Sequence, residues 1–290
     1  MRLFTFGCSI TQFYYPTWAD LLSWHFGNRM SVSENWGRSG AGNQFIFTRI
    51  WEADSIYHFN SNDIVVVQWT AMPRDDRFIT GHGWHTAGNL YHGQLKNDPM
   101  ELNNYSYSSQ YEWADLNHCV MRDCAMIASV KTMLAERGCK TVYFNFGNFY
   151  NNLSEKDSTL DFTKPLNNNS TNAILNQYKK YISTDIPPIM EWNGYTEDQL
   201  NEYVESRPIT LANIGDDVSE ARPEMHPLPF EYADYLEQFI LPNLGESELN
   251  DRAIKLAEHY QEKLITQRLP VLSKLGWTEQ NTDKIGWSDD

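Results

Sequence analysis

Short segments rich in apolar and β-branched residues alternate along the chain with stretches of helical periodicity. Strands are predicted at 3–6, 30–35, 63–69 and 141–146. Helices are predicted at 18–26, 44–58, 113–137, 171–182, 197–206, 229–243 and 247–267. The continuous β-branched run at 63–69 is typical of a central parallel strand that is covered on both faces.

This order of elements predicts an α/β fold: a three-layer α/β/α arrangement with a mainly parallel, doubly wound sheet of the flavodoxin-like type. The 290 residues fit one large domain or two small ones. No repeat or linker divides them, so we expect a single domain over 1–245, with long loop insertions at about 73–111 and 147–222. The polar and aromatic insertion at 73–111 is expected to be an irregular loop or lid. Residues 246–290 are expected to add a C-terminal helix and tail packed on the domain.

Composition and charge exclude several classes of protein. Hydrophobic residues make up 41% of the chain and aromatic residues 14%, which is too much apolar material for a disordered chain. No run of about 18 apolar residues is present, so no membrane partner is expected. Asp and Glu number 38 against 23 Lys and Arg, a formal net charge of −15. That charge opposes binding to a nucleic-acid backbone.

The start of the chain and its cysteines bear on the compartment. The N-terminal apolar segment is too short for a signal peptide, so a cytoplasmic location is expected, with incorporation into a larger particle left open. The four cysteines contain no CxxC pair and are expected to be core residues rather than zinc ligands.

Four polar segments stand where an open α/β sheet would bring them together. Residues 6–11 (FGCSIT) end the first strand, 35–40 (NWGRSG) follow the second, 68–70 (QWT) end the third, and 224–227 (EMHP) precede a C-terminal helix. Ligands of such sheets bind beyond the carboxyl ends of the strands. We therefore expect these segments to form one site.

These segments resemble the motif blocks of the SGNH (GDSL-like) hydrolase superfamily. The Gly-x-Ser after the first strand is similar to the first block, with Cys8 where Asp is usual. The Asn-x-Gly-x-Ser-Gly at 35–40 is similar to the second block, and the His-Pro before an amphipathic helix to the last. The resemblance covers residues 1–75 and about 222–245. It implies an SGNH-type fold and a serine esterase acting on an O-acyl ester, for example an O-acetyl ester on a carbohydrate.

The resemblance also implies the catalytic residues. Ser9 would be the nucleophile and His226 the base that takes its proton. The family's acid sits three residues before the histidine, where this chain has a proline. Glu224 is the nearest carboxylate and would orient the imidazole, with Asp216 and Asp217 as further candidates.

Three groups are expected to donate hydrogen bonds to the oxyanion. They are the backbone N–H groups of Ser9 and Gly40 and the hydroxyl of Thr70. Thr70 stands in place of the asparagine of the family's third block, which this chain lacks. Ser9 is expected at the start of a helix, where the helix dipole would favour the developing negative charge.

The substrate side of the site is open to alternatives. Arg74 and Arg77 follow the third strand and are expected to grip an anionic group of the substrate. The alternative is that they form ion pairs with Asp75, Asp76 or another carboxylate. Trp, Tyr and Asn are abundant at 81–113 and 143–195, which suits a carbohydrate partner, although aromatic residues also fill cores and oligomer interfaces.

Neither a metal nor a cofactor is predicted. His82, His85 and His92 lie close in sequence but lack the spacing of a catalytic zinc site. A metal-dependent hydrolase would require these three histidines to converge on one point.

A second hypothesis is a catalytically impaired module on the same fold that binds a glycan or serves in assembly, for example of a viral particle. The missing asparagine and the displaced acid favour it. Under either hypothesis the expected partners are an ester substrate, small molecule or glycan, and homo-oligomer formation or a larger assembly is left open. Acyl transfer to a sugar is close chemistry and also stays open.

Overall fold

A computed structural model describes residues 1–13, 15–72, 74–81, 83–89, 116–147, 169–192, 209–211, 221–223 and 226–266. In chain order the strands are β1 (Arg2–Phe6), β2 (Val32–Asn35), β3 (Asp63–Trp69), β4 (Arg74–Ile79), β5 (Gly83–Asn89), β6 (Lys140–Asn145), β7 (Ile209–Leu211) and β8 (Ala221–Pro223). The helices are α1 (Trp18–Phe26), α2 (Asn43–Tyr57), α3 (Leu116–Arg137), α4 (Asn169–Ile182), α5 (Ile189–Trp192), α6 (Pro229–Tyr235), α7 (Leu241–Asn243) and α8 (Asp251–Thr266).

The central sheet has four strands in the order β2–β1–β3–β6, and all three pairs are parallel. Every residue of β3 is buried, as its unbroken β-branched run predicted. The chain moves from β1 outward to β2 and then returns to the other side of β1 with β3. The switch point of the sheet therefore lies where β1 and β3 end, which is where ligands bind in open α/β sheets.

Helices cover both faces of this sheet. The crossovers from β1 to β2 and from β2 to β3 run in opposite directions, so right-handed connections place α1 and α2 on opposite faces. Helices α6 and α8 pack with α1, and α3 packs with α2. The predicted α/β class with a mainly parallel sheet is confirmed.

The prediction of an irregular loop at 73–111 is wrong for the first part of that segment. Strands β4 and β5 form an antiparallel hairpin in which Phe78 is paired with Trp84. Trp84 is buried and packs edge-on against Phe45 of α2. The strands are polar and show no clear alternation, and the hairpin packs against a distant part of the chain, so local sequence did not predict it. Residues 90–115 lie outside the described residues.

The predicted C-terminal helices are largely confirmed, with one interruption. The helix expected at 229–243 is α6, then a π-helical turn at Leu236–Ile240, then α7. In that turn the N–H of Leu241 donates to the carbonyl of Leu236, five residues back. The helix expected at 197–206 lies outside the described residues, and the short hairpin β7–β8 was not predicted. The proposed domain division stays a prediction.

In the part of the chain that the structure describes, no helix combines the length and the apolarity that crossing a bilayer would require.

Candidate active site

Ser9 lies in a tight turn directly after β1. The N–H of Thr11 and that of Gln12 both donate to the carbonyl of Cys8, at 2.9 and 3.0 Å. This single turn does not continue into a helix, and α1 begins only at Trp18. The expected position of Ser9 at a helix start is therefore wrong, and a helix dipole cannot be invoked for it.

His226 lies beside Ser9 although the two residues are 217 positions apart in the chain. The imidazole Nε2 of His226 is 2.8 Å from the hydroxyl Oγ of Ser9. Ser9 is largely buried, but 8% of its surface remains exposed to solvent. A hydroxyl within hydrogen-bond reach of an imidazole is the pairing that activates a serine as a nucleophile.

Gln68 is the second-last residue of β3, and its side chain supports the Ser9 turn by hydrogen bonds. Its Oε1 accepts from the backbone N–H of Cys8 at 3.0 Å and from the hydroxyl of Thr11 at 3.3 Å. Its own amide donates to the carbonyl of Trp69 at 2.7 Å. The sequence motifs assigned no role to Gln68, and the available signal was a single amide between the apolar residues 64–67 and Trp69.

Gly7 allows this close packing because it has no side chain. A Cβ at Gly7 would overlap Oγ1 of Thr11 and would lie 2.6 Å from Oε1 of Gln68. The glycine of this Gly-x-Ser is thus required by the packing of the turn.

Asn35 joins the Ser9 turn to the loop that follows β2. Its amide donates to the carbonyl of Thr11 at 2.7 Å, and its Oδ1 accepts from the N–H of Gly37 at 2.9 Å. The N–H of Arg38 donates to the carbonyl of Gly7 at 3.1 Å. The first two sequence blocks are therefore held together by direct hydrogen bonds.

Gly40 lies in that loop with φ of +75°, a conformation that favours glycine. A Cβ at Gly40 would lie 2.7 Å from the backbone oxygen of Thr86 in β5. The Thr86 hydroxyl also donates to the carbonyl of Ser39 at 2.9 Å. Among the described residues, the backbone N–H groups of Ser9 and Gly40 have no hydrogen-bond acceptor.

Thr70 follows β3 and is fully buried. Its hydroxyl has no hydrogen-bond partner within the described part of the chain. Asn43, the first residue of α2, binds both backbone groups of Thr70, at 2.9 and 3.0 Å. The same amide donates to Asp123 of α3 at 2.8 Å. Buried side-chain polar atoms usually have a hydrogen-bond partner, so the Thr70 hydroxyl is a candidate donor.

Arg74 and Arg77 both have partners within the protein. The Arg74 guanidinium donates to the carbonyl of Ala41 at 2.7 Å and lies over the ring of Phe146. Arg77 pairs with Asp75 at 2.6 Å, as the ion-pair alternative anticipated. Arg74 thus braces the loop that carries Gly40. The expected role of the two arginines in substrate binding stays a prediction.

Two buried carboxyl groups, those of Asp76 and Asp123, bind residues that surround the site. Asp76 of the hairpin accepts from the N–H groups of Gly42 and Phe45 at 2.8 Å each, and so caps α2. Burial raises the pKa of Asp76 to about 6. Burial also raises the pKa of Asp123 to about 7, against the opposing effects of Arg122 and Asn43.

A third buried carboxyl, Asp20, lies near the Ser9 turn. It accepts from the N–H of Thr17 at 2.8 Å, while the Thr17 hydroxyl donates to the carbonyl of Thr11 at 2.6 Å. Burial raises the pKa of Asp20 to about 6, although the hydrogen bonds that Thr17 donates to Asp20 act in the opposite direction.

Several predicted residues fall outside the described residues. They are Glu224, Asp216, Asp217, His82 and His92. The orienting acid and the three-histidine metal site therefore stay predictions. Within the described ranges, no group of three or more His, Cys, Asp or Glu side chains is placed to hold a metal ion.

No protein-family model matches the chain, and no curated protein matches it. A solved structure that is similar is a member of the lipolytic G-D-S-L protein family from Veillonella parvula. It is 12% identical, with a TM-score of 0.36, over 82% of this chain and 97% of that one. The protein YxiM of Bacillus subtilis is 12% identical, with a TM-score of 0.29, over 96% of this chain and 57% of that one. Likenesses this distant assign no residue or activity to this chain.

Proposed function

We propose that this protein is a serine esterase that hydrolyses an O-acyl ester, with Ser9 as nucleophile and His226 as base. The observation that carries the proposal is the 2.8 Å contact between Ser9 Oγ and His226 Nε2. A serine hydroxyl is a weak nucleophile at neutral pH, and an adjacent base is what activates it.

The proposed reaction has two halves. Ser9 Oγ attacks the ester carbonyl and passes its proton to Nε2 of His226, which must start without a proton on that nitrogen. The tetrahedral intermediate then expels the alcohol, which takes the proton back from the imidazolium. Water attacks the acyl-enzyme in the same way, and the acid leaves as Ser9 is restored. Glu224 remains the predicted partner of the other ring nitrogen.

The oxyanion is the second element of the proposal. The N–H groups of Ser9 and Gly40 have no acceptor among the described residues, and the Thr70 hydroxyl is buried without one. Preorganised donors of this kind stabilise the negative charge that develops on the carbonyl oxygen. A hydroxyl from Thr70 would take the place of the asparagine expected from the resemblance.

The test is hydrolysis of p-nitrophenyl acetate by the wild-type protein and by Ser9→Ala, His226→Gln and Ser55→Ala. Ser55 is an exposed serine on α2 and serves as the matched control. We expect Ser9→Ala and His226→Gln each to lose activity by at least about a thousandfold, with Ser55→Ala unchanged. Circular dichroism checks that each variant is folded.

Labelling with a fluorophosphonate gives an independent readout, because it requires a nucleophile but no turnover. Mass spectrometry should find the adduct on the peptide that contains Ser9. Equal hydrolysis by wild type and Ser9→Ala, together with no adduct on Ser9, would contradict the proposal. The catalytically impaired module would then be the better hypothesis.

A further inference from the structure

The segment that carries Ser9 also contacts the imidazole of His226 directly. The ring of Phe13 stacks on that imidazole, with ring centroids 3.9 Å apart and an interplanar angle of 25°. Phe13 lies four residues after Ser9 and is not part of any motif identified in the sequence. A stack at this distance restricts rotation of the imidazole about its side-chain bonds.

Tyr15, two residues further on, holds the backbone of the same histidine. Its hydroxyl lies 3.2 Å from the carbonyl oxygens of both His226 and Pro227, and shares its proton between them. Tyr15 is fully buried, and its ring meets Phe13 edge-on at 5.1 Å. Tyr15 thus fixes both the peptide of His226 and the ring of Phe13.

We infer that Phe13 and Tyr15 are positioning residues that hold the His226 imidazole against Ser9; the inference rests on the proposed function. One seven-residue segment, from Ser9 to Tyr15, then contains the nucleophile and both groups that orient its base.

The stack also has a chemical consequence. In the proposed reaction the imidazole takes the proton of Ser9 and becomes a cation, and an aromatic face attracts a cation within about 6 Å. This attraction strengthens in the transition state, so its loss is expected in kcat rather than in KM.

The test compares Phe13→Leu and Tyr15→Phe with the wild-type protein. Phe47→Leu is the matched control, because Phe47 is a partly buried phenylalanine of α2 that packs on Trp51. For p-nitrophenyl acetate we expect Phe13→Leu to lower kcat by about 10- to 100-fold with KM unchanged. Tyr15→Phe should lower kcat less, and Phe47→Leu should not change it.

Nuclear magnetic resonance of the His226 ring tests the same inference without turnover. The ring resonances are assigned by their absence in His226→Gln. In Phe13→Leu the ring protons should move downfield as ring-current shielding is lost, and the Nε2 shift should move toward its value in Ser9→Ala. Tyr15→Phe should retain most of the shielding.

The outcomes separate this inference from the proposed function. Unchanged His226 resonances in Phe13→Leu would overturn the inference, whatever the activity. So would an unchanged kcat in a protein whose hydrolysis depends on Ser9. Wild-type protein without Ser9-dependent hydrolysis would overturn the proposed function. In that case the Nε2 shift alone decides whether Phe13 holds the two side chains together.

Discussion

The side chain of Asn43 binds both backbone groups of Thr70. The N–H of Thr70 donates to Oδ1 of Asn43 at 2.9 Å, and the amide of Asn43 donates to the carbonyl of Thr70 at 3.0 Å. The residue after β3 is thereby fixed to the first turn of α2. The hydroxyl next to this fixed backbone is buried and has no partner among the described residues.

Thr70→Val should separate activity from stability. Valine keeps the shape of threonine but removes the hydroxyl, so an oxyanion donor is lost. We expect kcat for p-nitrophenyl acetate to fall by about 10²–10³-fold. The free energy of unfolding should be unchanged or should rise, since a buried hydroxyl without a partner is replaced by a methyl group. Steady-state kinetics and urea unfolding measure the two effects.

Thr70→Ser is the control, because serine keeps the hydroxyl and loses only a methyl group. It should retain most of the wild-type kcat. If Thr70→Val is as active as wild type, then Thr70 does not bind the oxyanion.

Gly40→Ala should lower activity more than its backbone strain alone would explain. Gly40 has φ of +75°, and a Cβ there would lie 2.7 Å from the backbone oxygen of Thr86. The loop must shift away from β5, which moves the N–H of Gly40. Loss of one oxyanion donor predicts a fall in kcat of about 10²-fold.

Gly81→Ala controls for the strain. Gly81 has φ of +76°, but a Cβ at Gly81 would meet no atom within 4 Å. Both variants should lose a similar free energy of unfolding from the positive φ, about 1 kcal/mol. Only Gly40→Ala should lose activity. Equal kcat values in the two variants would show that the Gly40 N–H has no part in the reaction.

Residues next to strand ends were the part of the site that the sequence could indicate. Ser9, Gly40 and Thr70 each follow a strand of the central sheet, and parallel strands bring their carboxyl ends to one edge. Ser9 and His226 were expected together, and the structure brings them to 2.8 Å. Their roles as nucleophile and base stay a prediction, which the kinetics of Ser9→Ala and His226→Gln test.

Residues that hold the site from a distance could not be predicted in this way. Gln68 acts on a residue 60 positions earlier, and Asn43 on one 27 positions later. Each side chain is ordinary in its local context: an amide in a strand and a polar residue at a helix start. The stack of Phe13 on His226 likewise exists only once the fold is formed. Local periodicity encodes elements, and it does not encode such long-range hydrogen bonds.

Gln68→Leu should weaken both the fold and the reaction. Leucine cannot accept from the N–H of Cys8, which is buried and would lose its partner. Leaving a buried donor unsatisfied costs about 1–3 kcal/mol of unfolding free energy. The Ser9 turn should also loosen, so kcat should fall while the protein remains folded in the absence of urea.

Gln238→Leu is the comparison for this prediction, because Gln238 is an exposed glutamine whose Oε1 is 3.4 Å from Trp192 Nε1. Gln238→Leu should change neither kcat nor the free energy of unfolding by much. A Gln68→Leu protein with wild-type kcat would show that the turn keeps Ser9 in place without this amide.

Asp20 should make the protein less stable as the pH rises from about 4 to about 7. Burial raises its pKa from 3.8 to about 6 in the folded protein. Between these values the folded state keeps the proton that the unfolded state has released. The stabilising contribution is therefore complete below pH 3.8 and is lost as the pH rises through 6. A shift of this size corresponds to about 3 kcal/mol.

Asp20→Asn removes this titration, so its free energy of unfolding should depend less on pH than that of the wild type. Between pH 4 and pH 7, the free energy of unfolding of the wild type should fall relative to that of the variant by up to about 3 kcal/mol. Asp234→Asn removes the same charge from an exposed position on α6 and serves as the control. Urea unfolding across this pH range provides the measurement. Parallel pH profiles for wild type and Asp20→Asn would mean that the pKa of Asp20 does not differ between the folded and unfolded states, with the hydrogen bonds from Thr17 offsetting its burial.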